Sequence, residues 1–185
     1  MSLFAVIDTE TNWGDQVMSI GTVLADDRTF QPVAYQYQVF PEACALGGMY
    51  LEAVFLDTPV PPSLCTREVG MDELRCWLIR NGVNSIFAYN ACFDRNHLPE
   101  LHGFDWYDIM RFAIYRQYNP KIPAWADCYS TGRMKRNYGV EPMLRLLSGD
   151  EGYRETHNAL FDALDELAIL RLLGRKLEEF PPLSR

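Results

Sequence analysis

Leu3-Phe4-Ala5-Val6-Ile7-Asp8-Thr9-Glu10 is the stretch on which the reading of this chain turns. An apolar run that stops at two acids one residue apart reads as a buried strand whose tip carries a pair of carboxylates. In an extended chain residues i and i+2 point to one face, so Asp8 and Glu10 are expected side by side. Two anions held that way repel, and a hard divalent cation with oxygen ligands relieves the repulsion. A strand ending in Asp-Thr-Glu is also how an ordinary surface loop begins, so the pair takes its meaning from the rest of the chain.

Outward from that strand, residues 17–24 and 34–40 read as two more strands. The turn-forming Asp26-Asp27-Arg28 joins them, which predicts an antiparallel meander. Gly21, inside an apolar strand, signals a bulge, a close approach of another backbone, or simply a small residue. Residues 41–70 show no period and carry Gly47-Gly48, Pro59, Pro61 and Pro62; a short helix followed by a surface loop is expected. Leu74, Trp77 and Leu78 predict a helix over 71–80, stopped by Asn81-Gly82, and Ile86-Phe87-Ala88-Tyr89 reads as a buried strand. Beyond a short segment around Phe104, Trp106 and Tyr107 the chain reads as mainly helical, near 109–118, near 143–147 and most clearly over 158–173. There Leu160, Ala163, Leu164, Leu167, Ala168 and Leu170 form an apolar stripe, ended by Gly174 and Pro181-Pro182. Strands followed by alternating strand and helix predict an α/β fold, a mixed sheet flanked by helices.

With 185 residues, 48% of them apolar, the chain has material for one core and is short for two, so a single domain over 1–185 with its core at about 3–174 is expected. No apolar run is long enough to span a bilayer, and Asp8 and Glu10 fall where a signal peptide needs its apolar stretch; a soluble, cytoplasmic protein is expected. Cys44, Cys65, Cys76, Cys92 and Cys128 are odd in number and widely spaced, which favours free thiols over zinc or disulfides. A formal charge of -8 argues against coating nucleic acid with the whole surface. Phosphates would be met locally. From residue 111 to 145, Arg111, Arg116, Lys121, Arg133, Lys135, Arg136 and Arg145 face only Asp127 and Glu141, with Phe112, Tyr115, Tyr118, Trp125, Tyr129 and Tyr138 interleaved. That mixture suits a single-strand groove, and equally a helix with a solvated basic face and aromatic core anchors.

Three short segments each bring an acid to the end of an element: Asp8-Thr9-Glu10, Asn90-Ala91-Cys92-Phe93-Asp94, and His157-Asn158-Ala159-Leu160-Phe161-Asp162. In order and residue type they resemble the DEDDh 3′-to-5′ exonucleases, whose signature is D-x-E, then N-x-x-F-D, then H-x-A-x-x-D. Ser19-Ile20-Gly21-Thr22-Val23 is similar to the second strand of that family, and the resemblance runs from near residue 3 to near residue 173. It implies a ribonuclease H-like sheet, hydrolysis of single-stranded DNA or RNA from the 3′ end, release of nucleoside 5′-monophosphates, and two Mg2+ or Mn2+ ions. It also implies that Asp8 serves both ions, that Glu10 and Asp162 serve the ion beside the attacking water, and that Asp94 serves the other. The partner it implies is a nucleic acid 3′ end; relatives occur as monomers, homodimers and subunits of larger complexes.

The residues make a case of their own. Phosphodiester hydrolysis needs an activated water and charge stabilisation on the attacking and leaving oxygens, which two divalent ions roughly 3.5 to 4 Å apart supply. Asp8, Glu10, Asp94 and Asp162 are the hard oxygen ligands such ions take. His157 is the expected general base, because an imidazole accepts a proton near neutrality. Five helical residues turn the chain by about 500°, so His157 is expected at the entrance of the helix that carries Asp162 rather than on its face. Thr9, Thr11, Asn12 and Trp13 follow the acids closely enough to line a pocket for the terminal nucleotide, with Trp13 either stacking on a base or buried. Asn90 is expected as the turn former of the second motif and as a substrate-binding residue, and Phe93 as the motif's core anchor. His97 and His102 read as structural or surface, and Asp165 and Glu166 as a solvated helix face. The alternatives are a nucleic-acid-binding module with a decayed site, against which the intact acids and histidine speak, and a metal-dependent endonuclease or transposase-like member of the same broad fold.

Overall fold

The computed structural model describes residues 2–184. Strands β1 (Leu3–Thr11), β2 (Val17–Asp26), β3 (Pro32–Val39), β4 (Ser63–Leu64), β5 (Ser85–Ala88) and β6 (Asp105–Asp108) form one mixed sheet in the order β4-β3-β2-β1-β5-β6. β1, β2 and β3 make the expected antiparallel meander, and β5 and β6 continue the sheet parallel to β1. The turn after β2 is fixed by Asp26, whose Oδ1 accepts hydrogen bonds from the N–H groups of Arg28 and Thr29 and from the Thr29 hydroxyl.

The helices are α1 (Pro41–Cys44), α2 (Leu51–Val54), α3 (Arg67–Arg80), α4 (Cys92–His97), α5 (Met110–Ala113), α6 (Val140–Ser148) and α7 (Ala159–Leu173). Alternation along β1 divides the core between the two faces of the sheet. Phe4 and Val6 pack into the layer formed with α5, α6 and α7, whereas Ala5 and Ile7 pack into the layer formed with α3. Asp8 and Glu10 continue the even-numbered series, so the strand delivers both acids to the α7 side.

One glycine sets how closely α7 approaches. Gly21 pairs with Asp8 across β1 and β2, and a Cβ there would lie 2.1 Å from the carbonyl oxygen of Ala159, the first residue of α7. Of the readings open for Gly21, close backbone approach is the one realised; the register breaks lie elsewhere, at Glu10/Thr11 and Leu24/Ala25. α7 lies directly on the strands, buried around most of its circumference, and ends in a left-handed Gly174.

Three expectations need correction. The helix expected over 71–80 begins at Arg67, because the Thr66 hydroxyl caps it by accepting from the Val69 N–H. Gly70, which masks this first turn in the sequence, packs against Phe40, whose ring would lie 2.8 Å from a Cβ. Residues 41–70 hold two single-turn helices and the edge strand β4 instead of one helix and a loop. The helix expected across 109–118 is only the short α5, and residues 114–139 are irregular, joined by the isolated bridges Tyr115↔Arg133 and Cys128↔Met134. Pro120, Pro123 and the left-handed Gly132 break helical continuity there.

Candidate active site and metal centre

The three motifs meet at the ends of β1, α4 and α7. Asp94 lies in the first turn of α4 and Asp162 in the first turn of α7, each almost wholly buried. Ligand atoms of Glu10, His157 and Asp162 all lie within 4.8 Å of one another. The Thr9 hydroxyl donates to Asp94 Oδ1 at 2.8 Å, tying α4 to the strand tip. Asp8 Oδ2 and Asp162 Oδ1 are buried with no hydrogen-bond partner. Buried oxygens left unpaired among like charges are costly in a protein interior, and a cation removes that cost.

The electrostatics follow from this crowding. Burial, then the charges of Glu155 and Asp94, pushes the Glu10 carboxyl up to about 8, while a hydrogen bond with Asp162 pulls the other way. Burial, followed by Glu155, Glu10 and Asp165, pushes Asp162 up to about 9. Asp94 rises to about 7, again mainly by burial, against the Thr9 hydrogen bond. Asp8 is held well above the usual carboxylate range by burial and then by Glu166, Asp94, Asp162 and Glu10. A set of carboxylates with orphaned oxygens has the donor chemistry of Mg2+ or Mn2+, with Asp8, Glu10, Asp94 and Asp162 as the residues that would hold it.

His157 precedes the helix, as expected, with a left-handed backbone at φ 56°. Its ring stacks on Tyr50, with centroids 3.9 Å apart and planes 15° from parallel. The brace beneath is Asn158. Its Oδ1 caps α7 by accepting from Leu160 and Phe161, and its Nδ2 donates to the Tyr37 hydroxyl and to the Ala53 carbonyl. Tyr37 in turn donates to the carbonyl of Val54, so one network locks α2 to the start of α7 and brings Tyr50 over His157.

Beside Glu10 opens a groove of about 350 Å³, lined by Thr9, Thr11, Asn12 and Trp13 together with Met49, Tyr50 and Phe93. Trp13 is 68% exposed, so it is not a core residue. Phe93 is also exposed, against the core-anchor expectation; its ring leans on His97 with centroids 4.3 Å apart. Asn12 lines the groove with its side chain engaged, its Oδ1 accepting from Gly14 and Gln16 and its Nδ2 donating to the Ala43 carbonyl. Asn90 lies outside the groove lining, in a left-handed turn whose N–H donates to Asp108 and whose carbonyl accepts from Phe93. His97 and His102 bond to the carbonyls of Phe93 and Arg95, and His97 also to Asp15. A larger cleft of about 900 Å³ includes Arg67 and Glu100, which form an ion pair, and His97, whose Nε2 bonds to Asp15, and none of the motif acids line it.

Sequence reasoning missed Met49 and Tyr50, in the stretch without a period, and misread two acids. Asp165 and Glu166 are not a solvated face. Asp165 accepts a hydrogen bond from Tyr153, and Glu166 is buried, with Oε2 lacking a partner. The i, i+4 spacing from Asp162 carried the signal for Glu166. The basic stretch divides: Phe112 is core, Arg116 is tied to the carbonyls of Pro123, Ala124 and Ala126, and Lys121 to that of Leu147. Trp125 and Tyr129 stay exposed, and Arg133 lies over the Tyr138 ring. All five cysteines are free, and no helix among the described residues is long and apolar enough to cross a membrane.

No protein-family model and no curated protein matches the chain. Solved structures do. A full-length 3′-exonuclease superposes with a TM-score of 0.64 at 14% identity, over 99% of this chain and 91% of its own. A 3′-exonuclease seen in 3′-end-specific recognition of a histone mRNA stem-loop gives 0.63 at 13% identity, over 99% and 71%. E. coli exonuclease I, in complex with a dT13 oligonucleotide, gives 0.60 at 12% identity, over 97% of this chain and 42% of that enzyme. The chain shares the fold of these solved structures, a mixed six-stranded sheet flanked by helices. Within that fold the motif acids occupy the end of the sheet where β1, α4 and α7 converge, and the chain spans well under half of exonuclease I.

Proposed function

We propose that this protein is a 3′-to-5′ exonuclease that hydrolyses single-stranded DNA or RNA from its 3′ end and releases nucleoside 5′-monophosphates. The observation that carries the proposal is the meeting of Glu10, His157 and Asp162 at one point beside an open aromatic groove, with Asp8 and Asp94 behind them. Bound divalent cations supply charge neutralisation and Lewis acidity at the scissile phosphate. Asp8, Glu10, Asp94 and Asp162 hold them. His157 takes the proton of the attacking water, and its stack on Tyr50 keeps the imidazole aimed at the acids. Trp13 and Phe93 offer exposed aromatic faces on which terminal bases stack, and a stacking contact accepts any base. The exonucleases that share the fold act at 3′ ends, which supports the same polarity here.

Digestion of matched 3′-labelled and 5′-labelled DNA and RNA oligonucleotides, with Mg2+, Mn2+ or EDTA, tests the proposal. Stepwise release of mononucleotides from the 3′ label, dependent on the cation, is expected, with a circular single strand left intact. Cutting of the circle would show an endonuclease instead, and inertness of every strand would show a binding module.

A further inference from the structure

Glu166 is the feature of the molecule that the proposed mechanism leaves idle. It lies one helical turn beyond Asp162 on α7 and is 1% exposed, with Oε2 lacking any partner. Burial, and after it the charges of Glu166, Asp94, Asp162 and Glu10, hold the Asp8 carboxyl well above the usual carboxylate range. Two periodicities coincide here. Four residues of helix advance about 6 Å and two residues of strand about 6.6 Å, so acids at i and i+4 on α7 match acids at i and i+2 on β1. Glu10 and Asp162, whose ligand oxygens lie within 4.8 Å of each other, form the outer rung of this ladder, and Asp8 and Glu166, each with a buried unpartnered oxygen, form the inner one. Gly21 makes the match feasible by letting α7 rest on the strands beside Asp8.

A glutamate side chain is a poor occupant of an apolar interior unless something there pairs with it. Packing does not require it, because its helical neighbours Leu167 and Leu170 fill the adjoining core with carbon. We infer that Glu166 is a fifth carboxylate of the cation cage, set behind Asp8, and that it strengthens the hold on the deeper of two divalent ions. This rests on the proposed metal-dependent function. Glu166 is a positioning residue: it acts on the ion's field and on Asp8, away from the substrate.

The test is Mn2+ titration of the full chain and of its Glu166→Gln and Glu166→Met variants, by calorimetry and by electron paramagnetic resonance, with thermal melting in EDTA. The wild-type chain is expected to take up two Mn2+ ions. In both variants one of the two affinities falls about tenfold or more, the size of effect typical of residues that support metal ligands, while the other holds. In EDTA both variants melt no lower than the wild type, because the substitutions remove no partner of Oε2. A wild-type chain that binds no Mn2+ overturns the proposed function and this inference with it. Unchanged affinities in variants of a chain that does bind Mn2+ overturn the inference alone, as does failure of both variants to fold in EDTA.

Discussion

Tyr50 lies flat against His157, ring centroids 3.9 Å apart, at the edge of the acid cluster. Neither residue belongs to an element that would fix it alone: Tyr50 precedes the single-turn α2, and His157 has a left-handed backbone before the cap of α7. Asn158 joins the two by donating to the carbonyl of Ala53. A general base contributes about 10²–10⁴-fold to rate, and misplacing it forfeits part of that. Tyr50→Ala is expected to lower kcat about tenfold or more while Mn2+ affinity, read by calorimetry, stays at the wild-type value. Tyr50→Phe keeps the stack and should keep kcat. An undiminished kcat in Tyr50→Ala would remove the stack from the mechanism.

Gly21→Ala should damage the fold as well as the site. The new Cβ would meet the Ala159 backbone at 2.1 Å, and a helix buried on most sides has little room to retreat. Overpacking of this kind costs about 1–3 kcal/mol. Urea unfolding is expected to show a loss near the top of that range. Hydrolysis should fall further than stability alone explains, because Asp162 and Asn158 move with the helix start.

Such particulars mark what was legible in the sequence. The meander, the central strand and α7 were readable because apolar periodicity and local caps agree with the final packing. The acids of β1 were placed by strand alternation alone. Phe93 and Glu166 were misread for opposite reasons: an apolar residue was assigned to the core and a charged one to water, yet the pocket exposes the first and the acid cluster buries the second. Tyr50 and Met49 could not be found locally. Their positions depend on a hydrogen bond between residues 105 apart in sequence.

Stability of the cation-free protein should fall as pH rises. Asp94, Glu10 and Asp162 titrate near 4 in an unfolded chain but are pushed up to about 7, about 8 and about 9 here, mainly by burial. Between those limits the native state binds more protons than the unfolded state, so the slope of stability with pH is negative. The contribution is fully present below about pH 4 and is lost as pH climbs through 7 to 9. Melting in EDTA should therefore give a midpoint several degrees lower at pH 8.5 than at pH 5.5. Saturating Mg2+ or Mn2+ should flatten or reverse that slope, since the ions bind the ionised native acids and not the unfolded chain. A midpoint in EDTA that rises with pH over this range would contradict the crowding of the acids.

Trp13 is where substrate binding separates from chemistry. Its ring is 68% exposed on the wall of the groove, and its backbone is held by an N–H donated to the Gly47 carbonyl, so truncating the side chain leaves the loop intact. Stacking on an aromatic ring is worth about 1–3 kcal/mol per base. If Trp13 holds a terminal base equally in the ground and transition states, its loss raises KM and spares kcat. Trp13→Ala is expected to raise KM for a single-stranded oligonucleotide about fivefold or more, with kcat within about twofold of wild type and Trp13→Phe recovering most of the difference. Asp162→Asn supplies the contrast, losing kcat while still retaining the strand in EDTA, where the wild type binds without cutting. An unaltered KM in Trp13→Ala would move the terminal base off this wall and onto Phe93 or Met49, the other exposed faces of the groove.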